Sequence, residues 1–424
     1  MNLTPEQEAL GRRNFLKAIA GVPALAGLGA AAALRGPVPG GPVRVGLIGT
    51  GGEGRLLLEQ TDPSFADVRA LCDINPSQLA DADEVLKRTN RPAARHYSEW
   101  KTMLDQEDLE AVIVATPLWT HADITVGCLE AGRHVLCEKM MAWDIASCER
   151  MLAASQRTRR ILEIGYQRFY NPVYQSAYEG VVRAGTLGDV YLARIAWHRN
   201  GNWRRSRTPP SSDYSPAKWG YPTFEHLINW RLYEKYSRGL LAELGSHQVS
   251  VVNWFFDSVP EAVLATGGVY RFNDGREVDD HIFATFEYPG GRTAVFSTIE
   301  SNQFENYYEA FFGTKGTLIL KGEGEAYLFT EGKAEPTGVE IAAKGTGPAL
   351  EASESRAADA AGQTQTGTAE RVDRVQSYRN EISTFCSAIR TGRPLACGPE
   401  RAVKSARACL RAYEAADRKT RLVV

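Results

Sequence analysis

The sequence predicts an α/β protein: an N-terminal doubly wound parallel sheet, then an α+β domain with a large, mostly antiparallel open sheet. Three observations predict it. Short apolar runs alternate with helical stretches between 43 and 160. A glycine-rich turn joins the first apolar run to the first helix. Beyond 160 the helices thin out and strand-like runs joined by Pro/Gly turns take over. At 424 residues the chain is too long for one ordinary core and suits two domains behind a leader.

Residues 1–36 read as the leader. Arg12 and Arg13 precede Phe15-Leu16-Lys17, and a weakly apolar run follows over 18–34. That run is short and Ala/Gly-rich for a membrane span. Ala30, Ala31, Ala32 and Ala33 offer A-x-A cleavage sites. Together these resemble a twin-arginine signal. The expectation is a periplasmic or secreted protein with no stable membrane span, handled by the twin-arginine export machinery. The first cysteine after the run is Cys72, which disfavours a lipid anchor.

A Gly/Pro linker over 37–42 leads into the first domain, expected over 43–160. Its strands are predicted at 43–48, 67–72, 109–115 and 134–137. Its helices are predicted at 55–60, from Asn75-Pro76-Ser77 onward, and at 120–131 and 146–157. The second domain is expected over 161–424. Strands are predicted at 190–197, 281–288, 292–299, 311–320 and 326–330, and helices at 378–390 and 399–419. The segment 342–371 has one large apolar residue, Leu350, and predicts a flexible insertion.

Composition excludes several functions. Lys plus Arg is 49 and Asp plus Glu is 51, a net charge of −2, so the basic field that nucleic acid needs is missing. Seven cysteines, an odd number without a C-x-x-C pair, make neither a disulfide framework nor a zinc ribbon.

Gly49-Thr50-Gly51-Gly52-Glu53-Gly54 is G-x-G-x-x-G between a predicted strand and a predicted helix. Gly49 permits the tight turn, Gly51 and Gly52 let backbone reach a pyrophosphate, and Gly54 lets helix and strand approach. Asp73 ends the second strand, where a carboxylate accepts from ribose hydroxyls and repels a 2′-phosphate. The predicted cofactor is therefore NAD rather than NADP.

Two further groups follow strand ends, where such sheets bind ligands: Thr116-Pro117 with His121, and Glu138-Lys139. Taken singly, a solvated lysine and a capping histidine explain them equally well. Glu243 and His247 lie four apart, so on a helix they share a face and the carboxylate can orient the imidazole. A structural pair is the alternative. No third ligand is nearby, so no metal is expected. The stretch 197–236 holds Trp197, Trp203, Trp219 and Trp230, half of the chain's tryptophans, among tyrosines and arginines. Such a surface suits a polyhydroxylated ligand or a subunit interface, with nothing to separate the two.

In combination these pieces resemble the Gfo/Idh/MocA family, named for glucose–fructose oxidoreductase, inositol dehydrogenase and rhizopine catabolism. The likeness includes Val45 through Gly54, Ala115-Thr116-Pro117 with His121, and Ala131-Gly132-Arg133-His134-Val135-Leu136-Cys137-Glu138-Lys139. It continues with Gly165-Tyr166-Gln167-Arg168, Asn171-Pro172, Gly185 with Gly188, and Gly239 to His247. The resemblance implies a Rossmann domain, a second domain whose open sheet builds homodimers or homotetramers, and hydride transfer to a nicotinamide. Lys139 matches the family's lysine and His247 its active-site histidine, while Glu243 stands where aspartate is usual. Met140 replaces a proline, and Ser250 replaces a second aspartate found in many members. Lys139, Arg168, Trp203, Trp230 and His247 are the expected substrate contacts.

The expected function is an exported NAD-dependent oxidoreductase acting on a sugar, glycoside or related polyol. A glycosidase that uses NAD transiently is an alternative. A non-catalytic sugar-binding protein that retains nucleotide is another.

Overall fold

The computed structural model describes residues 3–20, 40–331 and 368–424. The leader beyond residue 20, with its A-x-A sites, and residues 342–367 of the expected insertion lie outside the described residues.

Helix α1 (Pro5–Ile19) carries the twin-arginine pair. Thr4 caps it reciprocally with Gln7, which satisfies two N-terminal donors. Arg12 donates to Glu325 at 3.1 Å and to the Tyr327 hydroxyl at 3.4 Å, and Phe15 is buried.

The first domain contains β1 (Val43–Ile48), α2 (Gly52–Gln60), β2 (Ala66–Cys72), α3 (Pro76–Arg88), β3 (Arg95–Tyr97), α4 (Trp100–Gln106) and β4 (Ala111–Val114). It continues with α5 (His121–Glu130), β5 (His134–Glu138), α6 (Ile145–Thr158) and β6 (Leu162–Gly165). The six strands are all parallel, in the order β3-β2-β1-β4-β5-β6. β1, β4, β5 and β6 have continuous or nearly continuous buried runs because helices cover both faces. The sheet runs to Gly165, past the expected boundary at 160. β3 and β6 are too short to stand out in the sequence.

The second domain contains α7 (Pro172–Ala177), β7 (Val190–His198), α8 (Phe224–Ile228), α9 (Ser246–Phe255), β8 (Ala262–Gly268), β9 (His281–Tyr288) and β10 (Arg292–Ile299). There follow β11 (Tyr307–Gly313), β12 (Gly316–Lys321), β13 (Glu325–Thr330), α10 (Thr368–Thr391), α11 (Pro399–Arg418) and β14 (Leu422–Val423). The eight-stranded sheet has the order β13-β12-β11-β7-β10-β9-β8-β14, with β7 and β10 its parallel pair. The apolar run 311–320 is two strands, not one. It reverses at Thr314-Lys315, flanked by Gly313 and Gly316. A Cβ on Gly313 would lie 2.2 Å from the Leu187 carbonyl, so the turn packs too tightly for a side chain there. Residues 368–371 belong to α10 rather than to an insertion.

One core runs through both domains, from Val114, Cys137 and Ile164 to Phe169, Val249 and Phe296. α10 returns to the first domain, where Tyr378, Ile382 and Phe385 pack with Leu57, Leu71 and Val85. The shared core and the returning helix clamp the parallel sheet's C-terminal edge against the second domain. All seven cysteines are free and buried. No described helix is long and apolar enough to cross a membrane.

Candidate active site

A cavity of about 860 Å³ opens at the C-terminal ends of β1, β2, β4 and β5 and is closed by the second domain. The sheet order reverses between β1 and β4, the position where open α/β sheets bind ligands. Gly49, Gly51, Gly52, Asp73, Thr116, Pro117, His121, Glu138, Lys139, Trp230 and Glu243 all line it.

The glycine turn is built for close approach. Gly49 has φ +89°, and a Cβ there would lie 2.5 Å from the Ala115 oxygen. Gly54 sits behind the cavity, where a Cβ would lie 1.9 Å from the Gly49 oxygen. Gly51 and Gly52 face open space at the start of α2, leaving backbone donors available to a phosphate. Asp73 supports the turn. Its carboxylate accepts from the Thr50 amide at 2.8 Å and the Asn75 amide at 2.8 Å. Burial pushes its pKa up, against the pull of those hydrogen bonds.

His121 is buried and joins two wall segments. Its ring nitrogens lie 3.0 Å from the Met140 oxygen and 2.9 Å from the Thr116 oxygen. Burial lowers its pKa, and the two carbonyls oppose the shift. Its role is to hold the wall as much as to face a ligand. The Lys139–Met140 peptide is cis. Glu138 accepts from the Lys139 amide at 3.1 Å. Gly165 makes room for that carboxylate, because a Cβ there would lie 3.0 Å from it.

Lys139 reaches across the domain boundary, its ammonium donating to the Glu243 main-chain oxygen at 2.7 Å. The Glu243 carboxylate accepts from Arg231 Nε at 2.9 Å, a charge partner the sequence reading did not name. Glu243 lies in a π-helical turn, Leu241–Gly245, that precedes α9. His247 follows in α9 at 5% exposure, behind the wall rather than on it. Tyr166 stands edge-on to its ring at 6.1 Å, and Trp197 lies 5.9 Å away. Ser250 donates to the His247 carbonyl at 2.7 Å.

Two expected substrate contacts lie elsewhere. Arg168 is 1% exposed, bonded to Glu323 at 2.7 Å and paired with Glu309. It anchors the chain after β6 to the second sheet, a role its charge alone does not reveal. Trp203 does not line the cavity and packs under Arg199, 4.2 Å from its guanidinium carbon. Of the aromatic stretch, Trp219, Tyr221 and Trp230 do line it. Trp119 also lines it and donates to the Tyr221 hydroxyl at 2.8 Å, a second link between the domains. Arg205 and Arg231 were missed as well; the only signal was their place in an arginine- and tryptophan-rich stretch. Among the described residues, no group of three or more His, Cys, Asp or Glu is placed to hold a metal.

The Oxidoreductase family, NAD-binding Rossmann fold model matches residues 43–166, and the Oxidoreductase family, C-terminal alpha/beta domain model matches 180–424. The chain belongs to the Gfo/Idh/MocA oxidoreductase family. Family membership makes the first domain an NAD-binding domain, and the open glycine backbone and the placement of Asp73 fit that cofactor. The chain is similar to the Glycosyl hydrolase family 109 protein 2 of Phocaeicola vulgatus, at 31% identity over 37% of this chain and 38% of the relative. It is similar to the Inositol 2-dehydrogenase of Salmonella typhimurium, at 28% identity over 46% of this chain and 56% of that one. The chain therefore spans about half the length of these relatives or less. Among solved structures it resembles a levoglucosan dehydrogenase in complex with NADH and L-sorbose, at TM-score 0.68 and 18% identity, covering 91% of this chain and 99% of that one. The aldose-aldose oxidoreductase of Caulobacter crescentus gives TM-score 0.66 at 21% identity, with 90% and 100% covered. These likenesses establish the fold.

Proposed function

We propose that the protein is an exported NAD-dependent oxidoreductase that transfers a hydride between a carbinol of a sugar, glycoside or related polyol and a tightly held nicotinamide. The observation that carries this reading is the Lys139–Glu243 junction, on the wall of the same cavity that opens at the dinucleotide turn.

Bound NAD supplies the hydride acceptor. Lys139 keeps further N–H donors beyond the one given to Glu243, and these hold the substrate oxygen. As the hydroxyl proton leaves, the ammonium stabilises the growing charge. His247 is the proton acceptor, its ring steadied by Tyr166 and Trp197. Trp219, Tyr221 and Trp230 present ring faces to the C–H faces of the sugar.

Arg12-Arg13 and the run after it support export. A folded exported protein keeps its cofactor where free NAD is scarce, so the nicotinamide is reoxidised in place by a second substrate or by the product. Leu264, Phe283 and Val295, at 50%, 41% and 38% exposure on β8, β9 and β10, support a homodimer or homotetramer built on the outer sheet face.

The test combines three measurements on the full chain. Denaturation of the pure protein is expected to release NAD. Absorbance at 340 nm is expected to change with one member of a panel of sugars and glycosides. His247→Ala is expected to abolish that change while NAD stays bound. Absence of nucleotide, or full turnover by His247→Ala, overturns the corresponding assignment.

The 31% identity to a family 109 glycosyl hydrolase favours a second reading. Oxidation acidifies a neighbouring C–H, the glycosidic bond is eliminated, and reduction restores the sugar. Release of free sugar with no net NADH distinguishes it.

A further inference from the structure

The cavity wall carries five cationic side chains: Arg55, Lys139, Arg205, Arg207 and Arg231. Four are engaged. Arg55 and Arg207 share Asp81, Arg231 binds Glu243, and Lys139 donates to the Glu243 carbonyl. Among the described residues, the guanidinium of Arg205 has neither an ion pair nor a hydrogen bond.

Arg205 is nevertheless firmly placed. Its amide donates to Asn229 Oδ1 at 2.7 Å and its carbonyl accepts from Asn229 Nδ2 at 3.1 Å. Asn229 is buried and immediately precedes Trp230-Arg231. The clamp therefore pins Arg205 to the same wall segment as Arg231, whose guanidinium lies over the Trp230 ring at 4.2 Å. The side chain is exposed, but to the cavity. Arg231 is the largest influence on it, ahead of burial, and together they push its pKa down to about 10; Glu243 and Glu53 pull the other way. Two guanidiniums beside one carboxylate leave positive charge that a neutral polyol does not compensate.

We infer that Arg205 binds an anionic group, a carboxylate or a phosphate, on the substrate, and that this cavity selects acidic sugars. The inference rests on the oxidoreductase reading only for the substrate being a sugar. The rival source of negative charge is the cofactor's pyrophosphate. The start of α2, with the open backbone of Gly51 and Gly52, already provides for that group. Arg205 also feels Arg231 and Glu243, at the reacting end, more strongly than Glu53 and Arg55, at the glycine turn.

Calorimetric titration of the full-length, NADH-loaded protein with D-glucuronate, D-glucose 6-phosphate and D-glucose tests it. At least one anionic sugar is expected to bind roughly tenfold more tightly than glucose at low salt. Arg205→Gln is expected to remove that preference, and Arg205→Lys to keep part of it, with NAD affinity changed less than about threefold in both. No preference in the native protein overturns the inference, as does a preference that survives Arg205→Gln. Loss of NAD affinity with the sugar preference intact reassigns Arg205 to the pyrophosphate. If the binding pattern holds while no sugar changes the 340 nm absorbance, the anion site stands and the redox reading falls.

Discussion

The ammonium of Lys139 and the main-chain oxygen of Glu243 meet at 2.7 Å across the domain boundary. The lysine comes from the end of the parallel sheet and the glutamate from the turn that opens α9. Each domain supplies half of this contact, so the reacting end of the cavity exists only when the two are packed together.

Lys139→Met removes the donor and leaves the wall in place. Turnover with the best sugar is expected to fall by about 10²–10³, with NAD affinity within about threefold of native. Absorbance at 340 nm and a nucleotide titration measure the two. An equal loss in both would make the lysine a cofactor ligand only.

Asp73→Ala takes away the acceptor for the Thr50 and Asn75 amides. Hydrogen bonds to a charged group of this kind are worth about 1.5–3 kcal/mol, so NAD affinity is expected to drop by about 10- to 100-fold. Unchanged affinity in a direct titration would show that the turn holds without the carboxylate.

Arg168→Met leaves Glu309 and Glu323 buried without their cation. The expected cost is about 3–5 kcal/mol of stability, read as a lower urea midpoint. A variant with native stability and a raised KM would return Arg168 to substrate binding.

Glu163 is fully buried, and burial pushes its carboxyl from the ordinary value of 4.5 up to about 8. Nearby Glu381 is also buried and raised. The folded protein holds the Glu163 proton more tightly than the unfolded chain does. That contribution is fully present below about pH 4.5 and is lost as pH rises towards about 8. Glu163→Gln is therefore expected to be more stable than native by about 1–3 kcal/mol at pH 8, and the gain should vanish near pH 5. Thermal melts across this range check it, and a gain independent of pH would refute the assignment.

Gly11 lets α1 lie on β13. A Cβ there would come 2.9 Å from Tyr327 Cβ and 2.8 Å from the Phe329 ring. Gly11→Leu is expected to undock the helix and speed tryptic cleavage at Arg12, Arg13 and Lys17 about tenfold, with little change in global stability. Equal cleavage rates would mean that the contact does not persist in solution.

Much of the architecture was legible in sequence because it rests on local signals. The buried strand before Gly49, the glycine spacing and the acid at Asp73 identify the cofactor half without any long-range contact. The short strands β3 and β6 carry too few residues for a pattern, and the reversal at Thr314-Lys315 interrupts an apolar run too briefly to be seen. The site was legible where a residue follows a strand end, as for Glu138 and Lys139. It was not legible for Arg168 and Arg205. Both are arginines in polar surroundings, yet one is sealed into a buried ion cluster and the other is held open to the cavity by Asn229.

By itself the sequence determined the fold class, the NAD turn, and the candidate pair Lys139 and His247. Only the tertiary structure decided which charges neutralise one another. It gave Glu243 to Arg231, enclosed Arg168 with two carboxylates, and left Arg205 facing the cavity. The physical reason is that strands and turns follow from near neighbours along the chain. A side chain's charge partners and burial depend on residues brought close from as far as 155 positions away, as with Arg168 and Glu323.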